Sequence, residues 1–310
     1  MQLQSKLDAA SEGERLSIEV CHANQTIRMT DSPGKVIRNK LDSSMAICFD
    51  LVKSGEAQAV VSAGNSGAML AFSLLKLGRI QGIDRPAIMA AFPTYEGQCC
   101  LLDMGANVEC RPINFAQFAV MGSCFAHLNR PGKTVRVGIL SNGSEETKGT
   151  ELTRSAHRML TQYKSSDFQY IGYVEGKEIF SGCADVIVTD GYTGNIALKV
   201  AEGTISAFSK FLRDGVSASI WAKIGAVMMK NAFESVRQRM DPDLRGAAPL
   251  LGVKGISMIC HGGASARAIA NGMREASRFI QKDFNPALAA AIARNLDMFT
   301  AVKTSVEASG

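Results

Sequence analysis

Five times along this chain an apolar run breaks at a short turn rich in glycine and small polar residues and then gives way to a helical pattern. The stretches are VVSAGNSGAML from Val60, CLLDMGANVE from Cys100, VGILSNGSEETKG from Val137, VIVTDGYTGNIALK from Val186 and ISMICHGGASARAI from Ile256. An apolar run, a glycine turn and a 3.6-residue period form the signature of a buried strand that feeds a helix. Such alternation predicts an α/β fold, a mostly parallel sheet sandwiched by helices on both faces. Parallel strands deliver their turns to one sheet edge, where ligands of open α/β sheets bind. The five turns are therefore expected to meet at one shared site.

The segments between these units extend the pattern. LSIEVCHA reads as a strand after a polar helix end, and MTDSPGK as a loop opening a helix near Lys35, followed by a helix over SSMAICFDLVKSGEA. RPAIMAAFP and QCCLLDM read as adjacent strands, INFAQFAVMGSCFAHL as a helix, and a further helix starts near Thr150 before the strand FQYIGYV. No repeat or Pro-rich linker divides the chain, so residues 1–310 read as a single α/β/α domain. A hydrophobic content of 46% over 310 residues supports an extensive core. No apolar stretch approaches the roughly 18 residues of a spanning helix, and the polar start MQLQSKLDAASEGER is no signal peptide, so the expected compartment is the cytoplasm.

One region departs from the alternation. Residues 206–242 read as helical on both sides of Gly215 with no strand between, a helical arm leaving the main body. Ile220, Trp221, Ile224, Val227 and Met228 fall on one helical face, flanked by Lys223 and Lys230. Such a face suits burial in a core or a dimer interface. The chain's only Trp beside Met and Lys also suits a surface helix that touches lipid, which makes peripheral membrane association an expectation.

Several chemistries are excluded or disfavoured. The formal charge of +5 is too dispersed for a nucleic-acid footprint. The eight cysteines lie mostly in apolar runs without a C-x-x-C pair, which points to reduced thiols rather than zinc or disulfides. RPGKTV ends like a P-loop, but no glycine stands five positions before Gly132. No G-x-G-x-x-G follows a strand, which lowers a dinucleotide reading without abolishing it. GNSGA and HGGASA miss the G-x-S-x-G elbow, and the four histidines lack metal-ligand spacing. What remains is a set of neutral donors and lysines in the turns: Ser62, Asn65 and Ser66; Asn107; Asn142, Ser144 and Lys148; Gly191, Thr193, Asn195 and Lys199; His261, Ser265 and Arg267. Small residues at helix starts expose N–H groups that bind phosphate or an oxyanion.

These residues also carry a resemblance. RNKLDSSM, VVSAGNSGA, LLDMGANVECRPINFAQFAVMG, RVGILSNGSEETKG, VEGKEIFSG, DVIVTDGYTGNIALKVAEG and LLGVKGISMICHG together resemble the acyl-ACP:phosphate acyltransferase family of bacterial phospholipid synthesis, from about Asp31 to the C-terminal helices. The resemblance implies a fold like that of phosphotransacetylase and isocitrate dehydrogenase, a homodimer, and no cofactor or metal. It implies transfer of a fatty acyl group from acyl carrier protein to inorganic phosphate, the acyl phosphate then passing to a membrane glycerol-3-phosphate acyltransferase. The Lys of EETKG is Lys148 and the Asn of GYTGN is Asn195, and both match catalytic positions of the family. Family members begin with a strand and a DAMGGD-like loop; this chain starts downstream of that point, so a truncated or misassigned start, lacking part of the phosphate site, is expected.

Phosphate attack on a thioester carbonyl requires an oriented anion and a stabilised oxyanion. Lys148 is expected to neutralise phosphate or the developing oxyanion, and Asn195 to donate to the thioester oxygen. Backbone N–H groups of 62–66 and 191–193 would complete the site. Direct attack is favoured over a cysteinyl intermediate, since no Cys sits in an electropositive turn. Arg79, Arg85 and Lys254 are candidates for steering an acidic carrier protein. The rival readings are a CoA-dependent phosphate acyltransferase, a nicotinamide dehydrogenase of related fold and a non-catalytic membrane scaffold.

Overall fold

The computed structural model describes residues 18–299. The elements in chain order are α1 (Pro33–Asn39), α2 (Ser44–Ser54), β1 (Ala59–Ser62), α3 (Ser66–Phe72), β2 (Ala87–Thr94), β3 (Gly97–Leu102), α4 (Pro112–Asn129), β4 (Arg136–Ser141), α5 (Glu151–Gln162), β5 (Gln169–Glu175), β6 (Val186–Val188), α6 (Gly191–Ser217), α7 (Ile220–Met228), α8 (Lys230–Met240), β7 (Ala248–Leu251), β8 (Ile256–Ile259), α9 (Ala266–Gln281) and α10 (Phe284–Arg294). The strands form one eight-stranded sheet in the order β1-β8-β7-β2-β3-β6-β4-β5.

The sheet is parallel in its two outer blocks, β1–β8 on one side and β3–β6–β4–β5 on the other. Between them β8–β7, β7–β2 and β2–β3 are all antiparallel. Three reversals make the blocks run in opposite directions. The turns after β3, β6 and β4 therefore leave one edge of the sheet, and those after β1 and β8 leave the other. The expectation of five turns on a single edge is thus corrected. The antiparallel strands inserted between the blocks, invisible in a local strand-turn-helix pattern, are the cause.

Helices cover both faces. α4 starts with Pro112 at its first turn and an Asn114 side chain that accepts from the Arg111 N–H, and it is apolar all round because it is enclosed. With α5, α9 and α10 it packs on one face through Phe115, Phe118, Phe125, Phe279 and Phe284. On the other face α1–α3 bury Phe49, Met69 and Phe72 against the β1–β8–β7 side, while the first turns of α6 set Ala197, Leu198 and Ala201 on Phe92, Leu101 and Ile187.

Beyond Ala201, α6 leaves the body and continues through α7 and α8 as the expected arm, none of whose residues from 202 to 240 is buried. Gly215 has helix on both sides as expected, inside α6; the helices break at Ala218 and Ser219, where the Ser219 hydroxyl caps α7 by accepting from the Trp221 N–H at 3.2 Å. The strand expected at LSIEVCHA is absent over residues 18–23, where Ile18 and Val20 are exposed and no strand adjoins to pair with the backbone. The polar helix end expected before it lies outside the described residues. No helix among the described residues is long and apolar enough to cross a membrane.

Candidate active site

Leu102 and Ile139 both pair with Val188, so β3, β6 and β4 end side by side. The turn 103–107, the turn 190–195 and the loop 142–149 consequently share one edge. Arg79, Arg85 and Lys254 are exposed on the same edge, where β2 and β8 begin and β7 ends.

Asp103, not singled out in the sequence, organises this edge. Its carboxylate is fully buried. Oδ1 accepts from the N–H groups of Ile88 at 3.0 Å, Gly105 at 3.3 Å and Ala106 at 3.1 Å; Oδ2 accepts from the Asn107 N–H at 2.6 Å and the Asn107 side-chain amide at 2.9 Å. Burial pushes the Asp103 carboxyl up, and these donors oppose the shift. An acidic residue closing the apolar run CCLLD was the available signal.

The Asn107 amide also donates to the Pro86 carbonyl at 2.7 Å, so its donors are spent inside the protein. The start of α6 is pressed onto this turn. The Gly191 N–H donates to the Asn107 carbonyl at 2.8 Å, and a Cβ on Gly191 would lie 2.6 Å from that oxygen. Gly194 meets the Asp103 carbonyl still more closely. Glycine is required at both positions because backbone replaces side-chain space. Asp190 caps α6, accepting from the N–H and the hydroxyl of Thr193, each at 2.8 Å. Gly191 and Thr193 thus spend their N–H groups internally, whereas the Tyr192 N–H has no partner among the described residues.

Two side chains are left uncommitted here. Asn195 is exposed and faces Gly105, where its Cβ and Cγ lie 3.6 Å from the position a Cβ would take. Lys148 is exposed, and its ammonium has no hydrogen bond or ion pair among the described residues. Asn142 folds the Lys148 loop back by accepting the Gly149 N–H at 2.9 Å, and the Lys148 N–H donates to Glu145 at 2.9 Å. Ser141 Oγ and Thr189 Oγ1, at the ends of β4 and β6, are buried without a partner among the described residues. Buried polar groups are nearly always hydrogen-bonded, so unspent polar capacity beside an open turn calls for a partner such as a water or a ligand.

The remaining candidates lie at the opposite edge. Asn65 caps α3 through the Ala68 N–H at 2.9 Å and donates to the carbonyls of Arg28, Met29 and Asp31, leaving little for a ligand. Ser62 Oγ accepts from the Gly64 N–H and His261 Nδ1 from the Gly263 N–H, both at 3.1 Å. Ser66 and His261 are exposed and edge a cleft of about 410 Å³ that runs over β2 between α3 and α6. Ile88, Ala90 and Phe92 floor it and Met104, Leu198 and Ile259 wall it. Sequence patterning identified strand β2 but not that part of its apolar face stays uncovered.

Cys110 lies beside the Asn107 turn, its Sγ 3.6 Å from the Asn107 carbonyl, and burial pushes its thiol up to about 12. No group of three His, Cys, Asp or Glu among the described residues is arranged to hold a metal ion.

A family model described as fatty acid synthesis protein matches residues 2–287. A phosphate acyltransferase from Geotalea uraniireducens is 45% identical over 284 residues, which cover 92% of this chain and 81% of that one. A phosphate acyltransferase from Geobacter sulfurreducens is 43% identical over 295 residues, covering 94% and 84%. Among solved structures, a phosphotransacetylase from Staphylococcus aureus matches with a TM-score of 0.52 at 15% identity, over 94% of this chain and 83% of that chain. That likeness shows a shared α/β fold.

Proposed function

Since the chain belongs to the phosphate acyltransferase family, whose reaction is acyl transfer to phosphate, we propose that its donor is a fatty acyl thioester of acyl carrier protein and that its acyl phosphate feeds phospholipid synthesis. The observation that supports this reading is the convergence of two uncommitted polar side chains, Lys148 and Asn195, on the edge where β4 and β6 end together.

In the proposed reaction a phosphate oxygen attacks the thioester carbonyl, forming the C–O bond, and the C–S bond breaks as the tetrahedral intermediate collapses. The leaving thiolate takes the remaining proton of hydrogen phosphate, so acyl phosphate and free carrier thiol balance the equation. The Lys148 ammonium offsets the charge of the attacking anion, and the Asn195 amide donates to the oxyanion as it forms. The Tyr192 N–H, at the start of a 27-residue helix, adds a fixed donor on the same side. The carrier protein, an acidic partner, would dock on the edge that carries Arg79, Arg85 and Lys254. A homodimer, and an arm that rests on the membrane surface where the next acyltransferase acts, complete the proposal.

The test is steady-state turnover of acyl carrier protein thioesters with inorganic phosphate. Loss of one preorganised oxyanion donor costs about 3 kcal/mol, so Lys148→Ala and Asn195→Ala should each lower kcat roughly a hundred-fold or more with the fold retained. Turnover near the parent rate in both variants would place the site elsewhere. Preference for acyl-CoA over acyl carrier protein would displace the proposed donor.

A further inference from the structure

The cleft over β2 is continuous with the candidate active site. Ile88, at its head, donates its N–H to Asp103 and accepts from the Met104 N–H at 3.0 Å, and Met104 walls the cleft one residue before Gly105, which faces Asn195. On α6, Leu198 and Lys199 follow Asn195 by three and four residues, so all three share one helix face. Leu198 and Lys199 line the same cleft.

From Ile88 the floor runs through Ala90 to Phe92, alternate residues of one strand on one face of the sheet. At about 3.4 Å per residue the groove is roughly 14 Å long from head to tail. It opens because β2 and β7 pair only at Ala87–Leu251 and Ile88–Leu250 and then diverge. The methyl groups of Ala90, Ala247 and Ala248 keep it wide along the divergence. At the tail stand Phe92, His261 and Arg245. The Arg245 guanidinium has no ion pair or hydrogen bond among the described residues, and burial pulls its pKa down.

We propose that this groove holds the hydrocarbon chain of the acyl donor, extended from the thioester at Asn195 along Ile88, Ala90 and Phe92, and that Arg245 closes its far end and so sets the chain length accepted. Ile88 and Ala90 are half-buried, and an apolar floor left partly open at these residues gains by covering itself with hydrocarbon, at about 25 cal/mol for each Å² removed from water. A polar ligand gains nothing from that floor. A cation at the tail, costly to desolvate against methyl groups, ends the favourable path for the chain. The inference rests on the fatty acyl thioester donor of the preceding subsection.

The experiment compares kcat/KM for palmitoyl and butyryl thioesters of acyl carrier protein in the unmodified protein, Ala90→Val and Ala90→Phe. Filling the middle of the groove should lower the palmitoyl-to-butyryl ratio in graded fashion, with a fall of about tenfold or more for Ala90→Phe, the scale on which apolar pockets discriminate. A ratio that stays constant in folded variants overturns the proposal. So does an equal loss with both donors, the result expected if the groove holds the carrier's prosthetic arm. Should Ala90→Phe fail to fold, Ala90→Val decides. Failure of the unmodified protein to form acyl phosphate from either donor would overturn the donor assignment and the groove with it, whereas a normal parent with an unmoved ratio overturns the groove alone.

Discussion

The backbone N–H of Gly191 donates to the carbonyl oxygen of Asn107 at 2.8 Å, joining the turn after β6 to the turn after β3. A Cβ at Gly191 would stand 2.6 Å from that oxygen and 2.8 Å from Asp103 Oδ2. Neither neighbour can yield, since one is backbone and the other belongs to a buried carboxylate that holds five donors in all. Gly191→Ala should push α6 away from the turn, lower stability by about 1–3 kcal/mol as overpacking does, and cut kcat through displacement of Asn195. Urea denaturation and turnover on one preparation check both effects. Unchanged stability would show that the two turns are not locked together.

The proposed electrostatic docking of an acidic carrier protein would make KM sensitive to salt. Arg79, Arg85 and Lys254 are exposed on the edge that carries Lys148 and Asn195. Raising ionic strength to physiological values shortens the Debye length to about 8 Å, so KM for the carrier should rise while kcat holds. Charge reversal of the three residues should flatten that dependence. A KM indifferent to salt in the parent protein would remove the docking edge from the proposal.

The arm offers an apolar face on which no described residue packs closely: Trp221 is 78% exposed and Met228 83%. An interfacial helix gains from burying such a face in lipid and from lysine attraction to anionic headgroups. Trp221→Glu with Ile224→Glu should abolish co-sedimentation with anionic vesicles and leave turnover in solution largely intact. Loss of a dimer in the same double variant, with vesicle binding retained, would assign the face to a subunit interface.

Cys110 lies beside the Asn107 turn of the candidate site, and burial pushes its thiol up to about 12. At neutral pH it is protonated and a poor nucleophile. Cys110→Ala should therefore keep kcat within about threefold, in the range of surface or mildly packed substitutions, without any burst of acyl-enzyme. A covalent acyl adduct on Cys110, detected by mass spectrometry after rapid quench, would replace direct attack by phosphate with a two-step route.

Local physics settled much of this protein in its sequence. Buried parallel strands need continuous apolar runs, and close turns need glycine, so VIVTDGYTGN specifies a strand, a turn and a helix start on local pattern alone. The arm was legible because Ser206 to Pro242 reads as helical on both sides of Gly215 with no strand between. What lay beyond local pattern was direction. Whether a turn reaches one edge of the sheet or the other depends on how many antiparallel pairings separate two strands, and β2 and β7 reverse the sense between blocks without a mark in either block's sequence. For that reason the turns of Asn107, Asn142, Lys148, Gly191, Thr193 and Asn195 gather at one edge, and those of Ser62, Asn65, Ser66 and His261 at the other. The role of Asp103 and the partly open floor at Ile88 and Ala90 likewise arise from pairing between distant segments, which tertiary structure alone decides.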